Sequence, residues 1–172
     1  INSEKATITK NDFVIVDNSI NNTIYVNNPN LGIGDYEFAL DDEFGMYRNV
    51  GFFENITTGI HTLFIKDKLG CGTQEYQFSV LEYPKFFTPN ADGENDIWKI
   101  EGYDKDFYTI SEVYIYDRFG KLIYTIDKNS DGWNGDSDNG KSISNDYWFK
   151  TIFTDLNGYS IEKTGNFSLI RK

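Results

Sequence analysis

Apolar and polar side chains alternate through most of this chain, in short runs cut by Asn, Asp and Gly. A period of two marks half-buried strands, because successive side chains point to opposite faces of a sheet. In the first half the runs are ATIT (6–9), FVIV (13–16), TIYV (23–26), DYEFAL (35–40), GIHTLFIKD (59–67) and EYQFSVLEY (75–83). KDKLGCG (66–72) supplies the turn before the last of them. In DYEFAL, Tyr36, Phe38 and Leu40 share one face and Glu37 takes the other. Six such runs predict a small immunoglobulin-like β-sandwich. Pro84 closes the last run, so the expected boundary divides a module of residues 1–83 from one of 84–172.

The second half repeats the pattern. IWKI (97–100) opens it, and EVYIYDRFGKLIYTID (112–127) reads as a hairpin turning at RFGK. Val113 and Ile115 alternate with Tyr114 and Tyr116, and Leu122, Tyr124 and Ile126 are expected on one face of the return strand. After the polar loop DKNSDGWNGDSDNGK (127–141), a last hairpin pairs DYWFKTIFTD (146–155) with SIEKTGNFSLIRK (160–172). There Tyr147, Phe149 and Phe153 share a face, positioned to meet Phe167 and Leu169. The fold class is therefore all-β, as two tandem immunoglobulin-like sandwiches. Composition agrees. Aromatics reach 17% of the chain, and Ala occurs only at Ala6, Ala39 and Ala91, a palette that favours strands over helices.

The net charge is −11. It divides as −7 over residues 1–83 and −4 over 84–172, so the acidity is a general solubility feature and not one polyanionic site. No Lys/Arg cluster suits a phosphate backbone, and nucleic acid is not an expected partner. No apolar run approaches the ~20 residues that span a bilayer, so no membrane insertion by this chain is expected. The chain starts at Ile1, and a signal peptide and further protein are expected upstream. The single Cys71 excludes an internal disulfide and a thiolate zinc site, and the single His61 sits in strand-like GIHTLFIKD without a triad's other members. With 27 acidic residues, chance carboxylate pairs are inevitable and none is placed in an apolar pocket. No enzyme activity is expected.

Two acidic loops invite comparison with a calcium site. Starting at Asp127, DKNSDGWNGDSD places Asp127, Asn129, Asp131, Gly132 and Asp138 at EF-hand positions 1, 3, 5, 6 and 12. Asp138 is shorter than the usual bidentate Glu, and Asn/Asp/Gly runs form turns without metal. Calcium on Asp127, Asn129, Asp131 and Asp138 is a candidate, and no cofactor is required. In KFFTPNADGENDIW (85–98) the same alignment puts Lys99 at position 12, which rules out an EF-hand. Asp92, Asn95 and Asp96 suit turn capping instead, between anchors at Phe86-Phe87 and Trp98.

Five segments of the second half occur in a recognisable order: FFTPNADGENDIW, IYDRFGK, GWNG with NGK, NDYWFK and GNFSLIRK. Together they resemble the gliding-motility-associated C-terminal domain, the type B sorting domain of the type IX secretion system of Bacteroidota, over residues 84–172. The matching positions are Thr88, Pro89, Asn90, Asp92, Gly93, Asn95, Asp96, Trp98, Asp117, Arg118, Gly120, Trp133, Gly135, Asp146, Tyr147, Trp148, Phe149, Phe167, Leu169 and Arg171. Ala91 stands where the family usually has Gly, Asn134 where it has Asp, and Asn166 where His is common. The Ala91 change raises the question of a positive φ, which alanine tolerates poorly.

The resemblance implies a secretion signal that directs an upstream cargo in cis, a large surface adhesin or secreted protein, across the outer membrane. The implied partners are the type IX outer-membrane translocon and an outer-membrane protein of the PorP/SprF type. The implied route runs through the periplasm to the cell surface or the medium, and LIRK reads as a native C-terminus. Residues 1–83 resemble the immunoglobulin-like spacers that precede such domains. Trp133, in a polar loop, and Trp148 with Ile152, opposite the Tyr147 face, are candidate contact residues. A strand buried on both faces explains Trp148 equally well. Asp117 and Arg118 are expected to form an ion pair at the hairpin turn. The alternative function is a carbohydrate- or ligand-binding sandwich with structural calcium.

Overall fold

The computed structural model describes residues 2–103, 108–137, 140–155 and 158–171. The chain is all-β, with two short 3-10 turns at Lys10–Asp12 and Asn28–Asn30 and no α-helix among the described residues. It divides into two compact units, Ile1–Glu82 and Tyr83–Lys172.

The first unit holds β1 (Phe13–Val16), β2 (Thr23–Val26), β3 (Tyr36–Leu40), β4 (Phe52–Phe53), β5 (Gly59–Asp67) and β6 (Thr73–Val80). They form two three-stranded sheets, β1-β2-β4 and β3-β5-β6. Ile24, Val26 and Phe53 of one sheet share a core with Tyr36, Phe38, Leu63, Ile65, Phe78 and Val80 of the other. The expected strand at 6–9 is not one. Ala6 is buried, but its segment bonds to a loop, with Thr7 N–H donating to the Leu31 carbonyl at 2.8 Å. β4 fell outside the sequence reading because two residues carry no period.

The second unit holds β7 (Phe86–Phe87), β8 (Tyr108–Ile110), β9 (Val113–Tyr116), β10 (Leu122–Ile126), β11 (Asp136–Ser137), β12 (Gly140–Lys141), β13 (Asn145–Asp155) and β14 (Ser160–Leu169). The main sheet runs β10-β9-β13-β14-β7, with β8 pairing the end of β13. IWKI supplies no strand; its Trp98 forms an isolated bridge to Trp133. The inner face carries Val113, Ile115, Ile126, Tyr147, Phe149, Phe153, Phe167 and Leu169, all buried. Phe86 faces outward at 49% exposure while Phe87 is fully buried, so only one of the expected pair is an anchor.

A β-bulge between Leu122 and Tyr124 overturns the expected face of β10. Leu122 pairs with Tyr116 and faces out, whereas Tyr124 and Ile126 pair with Ile115 and Val113 and face in. The extra residue shifts the period-two register by one, which reverses the side of everything beyond it.

Gly165 pairs with Phe149 across β13 and β14. A Cβ there would stand 2.7 Å from Phe149 Cε1, and that ring is buried. The absent side chain gives the ring its place. Gly165→Val is expected to lower the unfolding free energy of this unit by about 1–3 kcal/mol, as overpacking does; urea denaturation followed by aromatic fluorescence measures it, and an unchanged midpoint would contradict this packing.

Candidate functional site

The motif segments meet around two tryptophans. Trp98 and Trp133 exchange backbone bonds, each N–H donating to the other's carbonyl at 2.9 Å. Both indoles are fully buried. Trp98 Nε1 donates to the Pro84 carbonyl at 2.9 Å and Trp133 Nε1 to that of Asp136 at 2.6 Å, so neither leaves an orphan donor. The Trp98 ring stacks on Phe167 with centroids 4.0 Å apart and lies 5.0 Å from Phe149. Trp133 meets Phe87 at 5.5 Å, Tyr147 at 5.2 Å and Tyr124 at 6.0 Å. Trp133, expected as an exposed contact, is therefore a core residue: its backbone bridge draws a polar loop inward with the ring.

Glycine makes the close approach feasible. Gly132 has φ +131°, and a Cβ would fall 2.5 Å from the Trp98 carbonyl oxygen. Gly135 has φ +82° and lies against Leu169 and the Arg171 guanidinium, where a Cβ would meet Nη2 at 2.8 Å. Arg171 holds this loop from the far end of the unit. Its Nε donates to the Ser142 carbonyl at 2.9 Å and Nη2 to the Gly135 carbonyl at 2.9 Å and Asp136 Oδ1 at 3.1 Å. Asp136 went unnoticed in the sequence because nothing there places it beside Arg171.

TPNADGEND is a self-capped loop. Asp96 Oδ1 accepts the N–H groups of Asn90 at 2.8 Å and Ala91 at 2.7 Å, and Oδ2 accepts that of Gly93 at 2.7 Å. The Gly93 bond above all, then those of Ala91 and Asn90, holds the Asp96 carboxyl below the usual carboxylate range, against an opposing effect of desolvation. Asp92 Oδ1 accepts from Glu94 N–H, and Asp92 Oδ2 from the Asn90 side chain. Thr88 N–H donates to the Asn95 carbonyl at 2.7 Å, and Pro89 lies beside Gly135. Ala91 has φ +64°, so the position where the resemblance expects glycine does take a left-handed backbone.

Asp117 does not pair with Arg118. Its Oδ1 accepts Phe119 N–H at 2.8 Å and Lys121 N–H at 2.9 Å, its carbonyl accepts Gly120 N–H, and Arg118 lies 4.8 Å over the Phe119 ring. A carboxylate offered free backbone donors in a tight turn caps them first. Asp146 accepts from Ser168 Oγ at 2.6 Å, and Tyr147 OH donates to the Ile143 carbonyl. Trp148 is 41% exposed and Ile152 39%, so the solvent-facing reading of β13 holds.

In the acidic loop, Asp127 Oδ1 accepts Asn129 N–H at 2.8 Å, an Asx turn. Asp127 and Asp131 both line a cleft of about 470 Å³ with Lys99, Glu101 and Lys128. Asp138 lies outside the described residues. Among the described residues, no three His, Cys, Asp or Glu side chains gather as metal ligands would. His61 is buried on β5, with Nδ1 2.7 Å from Asp41 Oδ2 and Nε2 2.8 Å from the Thr57 carbonyl.

Residues 81–167 match the family model described as the CHU_C type IX secretion signal domain. The chain belongs to that family. A type IX secretion signal domain is a sorting signal for export to the cell surface or the extracellular medium. No curated protein matches the chain. Among solved structures it is similar to dimeric latent PorU from Porphyromonas gingivalis, at 16% identity and a TM-score of 0.36, over 88% of this chain and 18% of that one. The chain thus spans under a fifth of that protein.

Two outcomes test the secretion-signal loop. Ala91→Gly removes a left-handed penalty of about 1–2 kcal/mol and adds roughly 0.4–1 kcal/mol of unfolded-state entropy. A net gain of up to about 1.6 kcal/mol in urea is expected, and a destabilised variant would contradict the strain. For Asp96 the folded pKa lies below the unfolded value of about 3.9, so its contribution is full above that pH and fades as pH falls through the folded pKa. Asp96→Asn is expected to lower the melting temperature at pH 7 and to flatten the loss of stability below about pH 4. An unaltered acid limb would show that the three N–H bonds matter little.

Proposed function

We propose that the chain is the sorting address of a larger exported protein, with the unit Tyr83–Lys172 read in its folded form by the type IX outer-membrane translocon together with an outer-membrane protein of the PorP/SprF type. The observation that carries this reading is the family match over residues 81–167. The convergence of the motif residues on one core supports it: Phe87, Trp98, Trp133, Tyr147, Phe149 and Phe167 touch one another although they are spread over some eighty residues of chain. A signal written across that span is legible only after folding. The cargo is a surface adhesin or secreted protein joined in cis, and Ile1–Glu82 serves as a spacer module. The reading assigns no catalysis to this chain and requires no metal; Asp127 is taken as a turn cap.

The test places the full chain behind a reporter directed to the periplasm. The reporter is expected on the surface or in the medium of type IX-competent cells and inside cells that lack the translocon. Equal export from both would overturn the proposal.

A further inference from the structure

The Trp98–Trp133 bridge also shapes the surface beside it. Lys99 follows one tryptophan and Gly132 precedes the other, so the paired backbone bonds set the segments 99–103 and 126–132 side by side. Gly132 keeps them close, since a Cβ there would stand 3.1 Å from Lys99 Cβ. With the corner between β8 and β9, these segments bound a cleft of about 470 Å³, within the size range of small-molecule sites. Its floor is aliphatic: Ile100, Ile110, Val113 and Ile126 line it and are all buried. Tyr103 closes one side, half-buried, with its ring edge-on to Phe153 at a centroid distance of 5.5 Å.

The rim has the opposite character. Lys99, Glu101, Asp127, Lys128 and Asp131 line the cleft and are exposed, two ammonium groups against three carboxylates. Lys99 and Glu101 already lie 3.7 Å apart, and Asp127 gives Oδ1 to Asn129 N–H. Ser130 Oγ accepts Gly132 N–H at 3.3 Å and keeps its own proton to donate. Among the described residues, no hydrogen bond or ion pair engages Lys128 or Asp131. This lining does not select an ion. The lysines repel a metal cation, for which no three ligand side chains gather among the described residues, and the carboxylates repel an anion. It matches a neutral molecule rich in hydroxyls. A hydroxyl both donates and accepts, so it satisfies an ammonium and a carboxylate alike. The C–H face of a sugar ring, in turn, covers an aliphatic floor and removes it from water. A zwitterionic amino acid offers only one group of each sign to polar groups spread over both segments. We infer that this cleft binds a neutral saccharide of monosaccharide or disaccharide size, with Lys128 and Asp131 bonding its hydroxyls and Tyr103 and the aliphatic floor carrying its ring. The inference is independent of the sorting function and adds a ligand site to the same unit.

The test titrates the isotope-labelled full chain with cellobiose, maltose and N,N′-diacetylchitobiose at millimolar concentrations while its amide resonances are followed by NMR. Saturable shifts are expected with at least one of the three sugars, confined to amides of 99–103, 110–113 and 126–132. Asp131→Ala and Lys128→Ala are each expected to weaken that binding at least about tenfold, the scale of one hydrogen bond to a charged group. Both side chains are exposed, so the wild-type urea midpoint should be retained. No saturable shift with any of the three sugars overturns the inference. Shifts only at other amides overturn it too, as does binding that both variants leave unchanged. Parallel titrations use calcium chloride and leucine. If either moves the cleft amides and the sugars do not, the cleft belongs to a cation or an amino acid and the inference falls.

Discussion

Two buried tryptophans from loops far apart in sequence hold each other by their backbones, and the second unit depends on that bridge. The paired bonds between Trp98 and Trp133 fix two otherwise irregular segments against the sheet. The indoles then fill the space above Phe149 and Phe167. Each ring is large enough to matter: full burial of an aromatic side chain is worth about 1.5–3 kcal/mol. Each also carries an N–H that would be costly to bury alone, and each finds a backbone carbonyl. The constraint reaches outward from there. Gly132 has to be glycine for the bridge to close, and Gly135 has to be glycine for Leu169 and Arg171 to lie over the loop.

The polar members of the motifs serve the same end by a different route. Tight turns leave N–H groups without a strand partner, and each takes a nearby acceptor. Asp96 supplies three, Asp117 supplies two in the hairpin turn, and Arg171 serves the carbonyls of Gly135 and Ser142. Of the acids that look like metal ligands in one dimension, Asp127 is bonded to its own backbone through Asn129 N–H. Most of the residues that mark this secretion signal domain are the means by which it folds. The side chains that stay in solvent are those the fold does not consume.

That division explains why the sheet has two characters. On its inner face, alternation delivers Tyr147, Phe149 and Phe153 to the core, and Gly165 yields its volume to Phe149. On the outer face, the same alternation leaves Trp148 and Ile152 in solvent, at a cost in exposed apolar surface that stability alone would not favour. The bulge in β10 adds Leu122 to that side and keeps Tyr124 against Trp133. A single extra residue therefore serves both faces at once.

Much of this was legible in the sequence, because period-two patterning is a local property. Alternation alone gave the strands at 13–16, 23–26 and 146–155, the hairpin at 112–127 and the shared face of Tyr147, Phe149 and Phe153, and the order of motifs pointed to the secretion signal family. Three things were settled only by tertiary structure. Trp133 went inward because its neighbours across the bridge lie some thirty-five residues away, beyond any local pattern. Leu122 changed sides because register depends on a partner strand and not on the strand itself. Asp117 capped its turn and left Arg118 to an aromatic ring, because backbone donors at short range outcompete an exposed cation, whose pairing is worth only about 0–1 kcal/mol. Local composition determined which elements form; contacts across the sheet decided which of their side chains are buried and which stay in solvent.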